Sequence, residues 1–213
     1  MSAAGRPVLA TDRLRLEPVA AGDADWLHIH WNLSDVRRWL WDDIDVPMNR
    51  VVEEIATSDA HFGADGFGLW LVRPAGGFVA ELGTAGPIGT CGLHDDLCDA
   101  AALGWPCEMI EVVFTVDPSL WGRGVAGEAA TAVLAHGHDA CGIEIIGGGH
   151  DRGNVASGRV LRRIGMMPFG SVPSVLGPTD YFIHSSCEPV RSLMGSVGAD
   201  DHGRARVRRR PLD

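Results

Sequence analysis

Apolar and polar residues alternate through "RLRLEPV" (residues 13–19), the period of two that marks a strand with one buried face. The period then changes. Gly22 and Asp23 open an amphipathic stretch to about Asn32, with Trp26, Leu27, Ile29 and Leu33 at helical recurrence. An aromatic and acidic segment, "SDVRRWLWDDIDVPMNR", follows to Pro47 and beyond, and the pattern predicts a short helix over about 49–58. The middle of the chain reads as β-rich. "GLWLVRP" (68–74) and "PIGTCGL" (87–93) are expected to be neighbouring antiparallel strands joined by a glycine-rich connection. "EMIEVVFTV" (108–116) is nearly continuous in β-branched and aromatic residues, the composition of a strand buried on both faces. A helix carrying Ala126, Ala129, Ala130, Val133 and Leu134 on one side comes next. Then follow a strand over 142–146, a helix over 154–166 and a late strand at "YFIHS". The order β-α-α-β-β-β-α-β-α-β predicts a mixed α/β fold with a β-α-β crossover at its centre. One domain over 1–190, with an appended tail over 191–213, fits the length.

Charge changes this picture in two places. All 18 basic residues are arginine, which excludes a Schiff-base lysine and any nucleotide loop that needs lysine. Five of those arginines lie in "RARVRRRPLD", so the remaining chain sets 13 arginines against 27 acidic residues. That acidic body discourages nucleic acid, except through the tail, and favours cationic partners. The tail lacks apolar periodicity and is expected to be disordered. No run of apolar residues approaches the roughly 20 that a membrane span requires, and no secretory signal is evident, so a cytoplasmic location is expected. The five cysteines are odd in number and irregularly spaced, the pattern of reduced thiols. The histidine pairs His28/His30 and His136/His138 stand two residues apart, which on a helix points the rings away from each other. No metal is expected.

The candidate chemistry centres on "VDPSLWGRGVAGEAATAVLAHGHD", a strand end, a glycine-rich turn and a helix start. Backbone amides at such a turn can face an anion. A triphosphate loop fails for want of lysine. "GRGVAG" does have the spacing of a dinucleotide fingerprint, and Glu144 lies 17 residues after Gly127. Its position past the middle of the chain, behind several antiparallel strands, argues against a doubly wound sheet. A carboxylate, Glu111, interrupts the apolar strand and shares one face with Val113 and Thr115. Buried carboxyls hold their protons to higher pH, a property a general base exploits.

Taken together, "DPSLWGRGVAGEA" and the later "GNVASGRVLRRIGM" resemble the GNAT superfamily of acyl-CoA-dependent N-acyltransferases, most of all its ribosomal-protein N-acetyltransferase branch. The second motif carries Asn154, Ser157, Leu161, Gly165 and Met166; "TDRLRLEPV" and "PIGTCGL" match the branch's first and third strands. The resemblance covers about residues 9–185.

It implies a mostly antiparallel sheet flanked by helices, with acetyl-CoA as cosubstrate and a primary amine as acceptor, either a protein N-terminus or a small cation. Its pyrophosphate would sit at the turn formed by Trp121, Gly122, Arg123, Gly124, Val125 and Ala126. Phe114, Thr115 and Val116 would bond the pantetheine arm through backbone groups, with Asn154 on the other side. Glu111 matches the family's strand base. The family's usual acid, a tyrosine, is replaced by Leu161, which leaves Ser157 as the acid and Tyr181 as an outside candidate. Trp39, Trp41, Asp42 and Asp43 fall in the region that shapes the acceptor pocket. "IGGGHDRGN" departs from the family and reads as a flexible loop, from which His150 and Asp151 could reach the acceptor. The resemblance allows a homodimer, and the missing tyrosine keeps open a second reading, a CoA-binding module without catalysis.

Overall fold

The alternation in residues 13–19 is realised as β2 (Leu14–Pro18), where Leu14 and Leu16 are buried and Arg15 is exposed. It pairs with the two-residue β1 (Leu9–Ala10) on one side and with β3 (Leu69–Pro74) on the other. The computed structural model describes residues 6–95, 103 and 109–186. Among these, β4 (Gly89–His94), β5 (Glu111–Val116), β6 (Ile145–Asp151), β7 (Met167–Val172) and β8 (Thr179–Ser185) complete one sheet. The strand order is β1-β2-β3-β4-β5-β6-β8-β7, with every pair antiparallel except β5 and β6.

The period of two sorts the apolar residues onto both faces. Leu14, Leu16, Trp70, Val72, Cys91 and Leu93 pack with Val112 and Val116 under α5 (Val125–Asp139), which contributes Val125, Ala129, Ala130 and Val133. On the opposite face Leu71 joins Val19 beneath α1 (Ala24–Trp31) and α3 (Met48–Ala64), through Leu27, Trp31, Val51 and Ile55. Each such side chain, fully buried, contributes about 1.5–3 kcal/mol before entropy is counted. The sheet therefore sits between two helical layers, with α6 (Val155–Arg163) beside α5.

Several elements differ from the sequence reading. The aromatic and acidic segment contains a helix, α2 (Ser34–Leu40), and the glycine-rich connection after β3 contains α4 (Gly77–Leu82). The helix expected over 49–58 runs on to Ala64. A strand, β7, follows directly on α6 once Gly165 turns the chain at φ 88°. The largest difference is "IGGGHD". The strand expected over 142–146 begins only at Ile145 and continues to Asp151, so the expected flexible loop is a paired strand. Glycine is a poor strand former in isolation, but here it is required. A Cβ on Gly149 would lie 2.8 Å from Cε1 of Tyr181, and one on Gly147 2.3 Å from the Met109 sulfur. Tertiary packing overrides local preference.

Burial pushes up the thiols of Cys91 and Cys141, as fits unreactive structural cysteines. Cys98, Cys107, Cys187, Glu108 and the arginine-rich tail lie outside the described residues. Among the described residues no helix is long and apolar enough to cross a membrane, and no cluster of His, Cys, Asp or Glu is arranged to hold a metal ion.

Candidate active site

β5 and β6 run parallel but share a single register pair, Glu111 with Gly147. Beyond it the two strands splay. The gap opens into a cleft of about 1020 Å³, lined by β5, the turn after it, the start of α5, the start of α6 and part of α2. Val113 and Phe114 are only half-buried in this otherwise apolar strand, because no neighbour pairs with that edge of β5.

One flank of the cleft is made of backbone. Gly122 and Gly124 adopt φ of 77° and 80°, values that L residues with a side chain rarely take. Gly124 caps α5 and supplies no side chain to its first turn. The leading N–H groups of a 15-residue helix, which have no partners inside the helix, therefore face the cleft with the positive end of the helix dipole. This turn is tied to the start of the chain. Thr11 Oγ1 donates to Glu128 Oε1 at 2.5 Å, and Arg13 Nε donates to Oε2 at 2.8 Å. Nη1 of Arg13 also donates to the Arg123 carbonyl at 3.2 Å. Burial opposes ionisation of Glu128, but the hydrogen bonds from Thr11 and Arg13 together outweigh it and hold the carboxyl below its usual range.

The other flank is made of buried side chains. Glu111 is 3% exposed at the point where the strands part. Thr115, on the same face, lies 2.8 Å from His30 Nε2 through its hydroxyl, which is also 2.7 Å from Thr90 Oγ1. The His30 ring stacks on Trp26 with centroids 4.6 Å apart. Burial drives the His30 pKa down to about 4, against a smaller opposing pull from Asp117, so the ring is neutral at pH 7. A neutral ring presents one acceptor and one donor nitrogen, which suits a hydroxyl partner.

Comparison with known proteins agrees with this geometry. Residues 13–167 match the family described as "Acetyltransferase (GNAT) domain". The chain belongs to the GNAT acetyltransferases. It is 25% identical over 187 residues to an uncharacterized N-acetyltransferase, YoaA, of Bacillus subtilis (strain 168), an alignment covering 86% of this chain and 98% of that one. Its fold is similar to that of an acetyltransferase from Agrobacterium tumefaciens str. C58, with TM-score 0.66, 21% identity and coverage of 84% and 95%. It is similar also to RimL, a ribosomal L7/L12 alpha-N-protein acetyltransferase solved with coenzyme A, with TM-score 0.62, 12% identity and coverage of 84% and 98%. The protein is accordingly an acetyl-CoA-dependent acyltransferase with a mixed α/β GNAT fold.

In this GNAT acetyltransferase the residues singled out from the sequence divide by position. Glu111, Phe114, Thr115, Val116, Trp121, Gly122, Gly124, Val125, Ala126, Asn154 and Ser157 all line the cleft. The Val116 carbonyl is already taken, accepting a 2.8 Å bond from the Trp121 indole. Asn154 caps α6, its Oδ1 accepting from the Ser157 N–H at 3.2 Å. Arg123 instead turns out to Glu81, 3.1 Å away. Leu161, at the family's tyrosine position, is a core residue, and Tyr181 lines the cleft from β8.

Of the acceptor candidates, Trp39 and Asp42 line the cleft, and Trp39 reaches over Gly153 at the start of α6. Trp41 packs instead against Trp31 and under Arg50, and Asp43 pairs with Arg37 at 3.2 Å. His150 and Asp151, read from the sequence as able to reach the acceptor, both line the cleft, His150 from the α6 side of β6. Its Nδ1 donates to the Asp151 carbonyl and its ring rests on Phe182.

The sequence reading missed His30, Thr90, Arg13 and Glu128. His30 carried one legible signal, since Trp26, Leu27, His30 and Trp31 fall on one helical face.

Proposed function

We propose that the protein is an N-acetyltransferase moving the acetyl group of acetyl-CoA to a primary amine by direct attack, with Glu111 as base. The observation that carries this reading is a single buried carboxylate at the splay point of β5 and β6. The chain's residues fit the cosubstrate. The Gly122–Gly124 turn and the α5 terminus, which has no side-chain cap, offer amides to a pyrophosphate without lysine, and the splayed edge of β5 offers backbone groups to an extended arm.

An amine reaches neutral pH as an ammonium ion and attacks only after losing a proton. Glu111 takes that proton. The register turns the Thr115 N–H toward β4, so the N–H of Phe114, on the edge of β5 that parts from β6, is the one that faces the carbonyl oxygen as negative charge gathers on it. Ser157, held in place at the first turn of α6, gives its proton to the departing thiolate and regains one, the second proton that the nitrogen loses as the amide forms. Trp39 and Asp42 at the rim receive the acceptor. A ring face and a carboxylate attract a cationic amine, in keeping with the acidic body. Asp42 and its neighbour Asp43 both adopt left-handed φ, 52° and 61°, in the turn between α2 and α3.

Release of free thiol from acetyl-CoA, followed with a diamine, an aminoglycoside and peptides with free N-termini, tests the reading. Turnover with one of these acceptors should fall about 10²–10⁴-fold in Glu111→Gln. Tight acetyl-CoA binding without turnover across the panel would overturn it in favour of a CoA-binding module.

A further inference from the structure

The sheet face that carries Glu111 also carries His94. In the antiparallel β4–β5 pair these two residues stand directly opposite each other, a placement that brings Cβ atoms to about 4.5–5.5 Å. Ionisable groups then continue outward from His94. Its Nε2 lies 3.5 Å from Glu54 Oε2 on α3, and its Nδ1 lies 3.7 Å from Asp95 Oδ1. Asp95 Oδ1 is 3.2 Å from His61 Nε2, and His61 Nδ1 is 3.3 Å from Asp65 Oδ2. Exposure is uneven along the series: Glu111 is 3% exposed, while the side chains of His94, Glu54 and His61 stand at 23%, 14% and 16%. Those of Asp95 and Asp65 stand at 34% and 50%, so the two aspartates are the members most open to water.

We propose that His94 is the proton exit from the active site, taking the proton that Glu111 has removed from the amine and passing it through Glu54 and Asp95 to water. The proposal rests on Glu111 acting as base. Converting an ammonium ion and a thioester to an amide and a free thiol liberates one proton per turnover. Glu111 holds it as the carboxylic acid while the amine attacks. It must return to carboxylate before the next cycle, and it is buried even with the cleft open. Transfer to the His94 imidazole regenerates the carboxylate and leaves an imidazolium. The carboxylates of Glu54 and Asp95 stabilise that cation and pass its proton on. Among the described residues, the charged and titratable groups near the ring include Glu111 from β5, Glu54 with its partner Arg50 from α3, His61 from α3, and Asp95 beyond β4. No step changes oxidation state, and no co-reactant beyond water is needed.

Two measurements on the full chain test this. The first needs no acceptor. In NMR titrations of the histidine ring protons, the His94 midpoint should fall by at least about half a pH unit in Glu111→Gln, because a carboxylate facing the ring favours its charged form. An unchanged midpoint overturns the relay. The second is turnover with acetyl-CoA and the best acceptor of the panel above. His94→Gln should lower kcat about tenfold or more in dilute buffer, leave the KM for acetyl-CoA unchanged, and regain rate with added imidazole. A kcat equal to wild type from pH 6 to 9, or a loss that imidazole does not restore, overturns it. Full activity in Glu111→Gln would instead remove the base reading, and it is read in a separate variant. Glu54→Gln, farther along the route, should give a smaller loss with the same buffer rescue.

Discussion

On the α5 flank of β5 the groups that face the cleft are backbone: the left-handed turn at Gly122 and Gly124, the first amides of α5 and the unpaired strand edge. On the α1 flank they are side chains, Glu111 and Thr115, the latter held from behind by His30, which stacks on Trp26, and by Thr90. The first construction depends on conformation that glycine permits and tolerates variation in nearby side chains. The second depends on buried polar atoms meeting their partners, where one lost partner leaves a desolvated group behind. The two flanks should therefore fail under different insults.

Acid should strike the side-chain flank hardest. His30 is neutral in the fold with its pKa near 4, against an ordinary 6.5, so the unfolded chain binds that proton first as pH falls. The stability tied to neutral His30 is complete above about pH 6.5 and is lost as pH drops toward 4, by up to about 3 kcal/mol. Urea melts at a series of pH values check this. The acid-sensitive part should vanish in His30→Gln, and an unaltered pH slope in that variant would refute the assignment.

Next in size is Gly149→Val. The new side chain meets the Tyr181 ring, and overpacking of this kind costs about 1–3 kcal/mol. A lowered melting temperature with near-normal CoA affinity in the surviving folded protein is expected. Gly124→Val should do the reverse. It forces a β-branched residue to φ 80°, so CoA affinity by calorimetry should drop at least tenfold, while the acid response at His30 stays as in wild type. Equal CoA affinity in this variant would remove the turn from the binding site. The smallest effect is expected for Arg13→Ala. The Arg13–Glu128 pair is partly solvent-exposed, and pairs of that kind contribute at most about 1 kcal/mol. CoA affinity should weaken only a few-fold as the α5 turn loosens.

How much of this was readable in advance follows the same division. The turn was legible because its requirement is local: glycines at fixed spacing before an apolar helix. Glu111 stood out because a carboxylate inside an apolar strand is conspicuous wherever that strand packs. "IGGGHD" misled, because glycine normally signals a loop, and what its glycines make room for, Tyr181 and Met109, lies on other segments. His30 was passed over because the spacing of two histidines along one helix cannot show what one of them meets 85 residues later. Trp41 and Asp43 looked equivalent to Trp39 and Asp42. Only the packing of Trp41 on Trp31, and the pairing of Asp43 with Arg37, separates them.

By itself, then, the sequence determined the main strands and helices, the family and the glycine-rich turn. These rest on interactions between residues near each other in the chain, or on backbone conformations that only certain residues allow. The tertiary structure decided where β5 parts from β6 and which polar groups are buried beside the gap. It also set His94 opposite Glu111. Those facts depend on register and burial between distant segments, and no local pattern encodes a distance across a sheet.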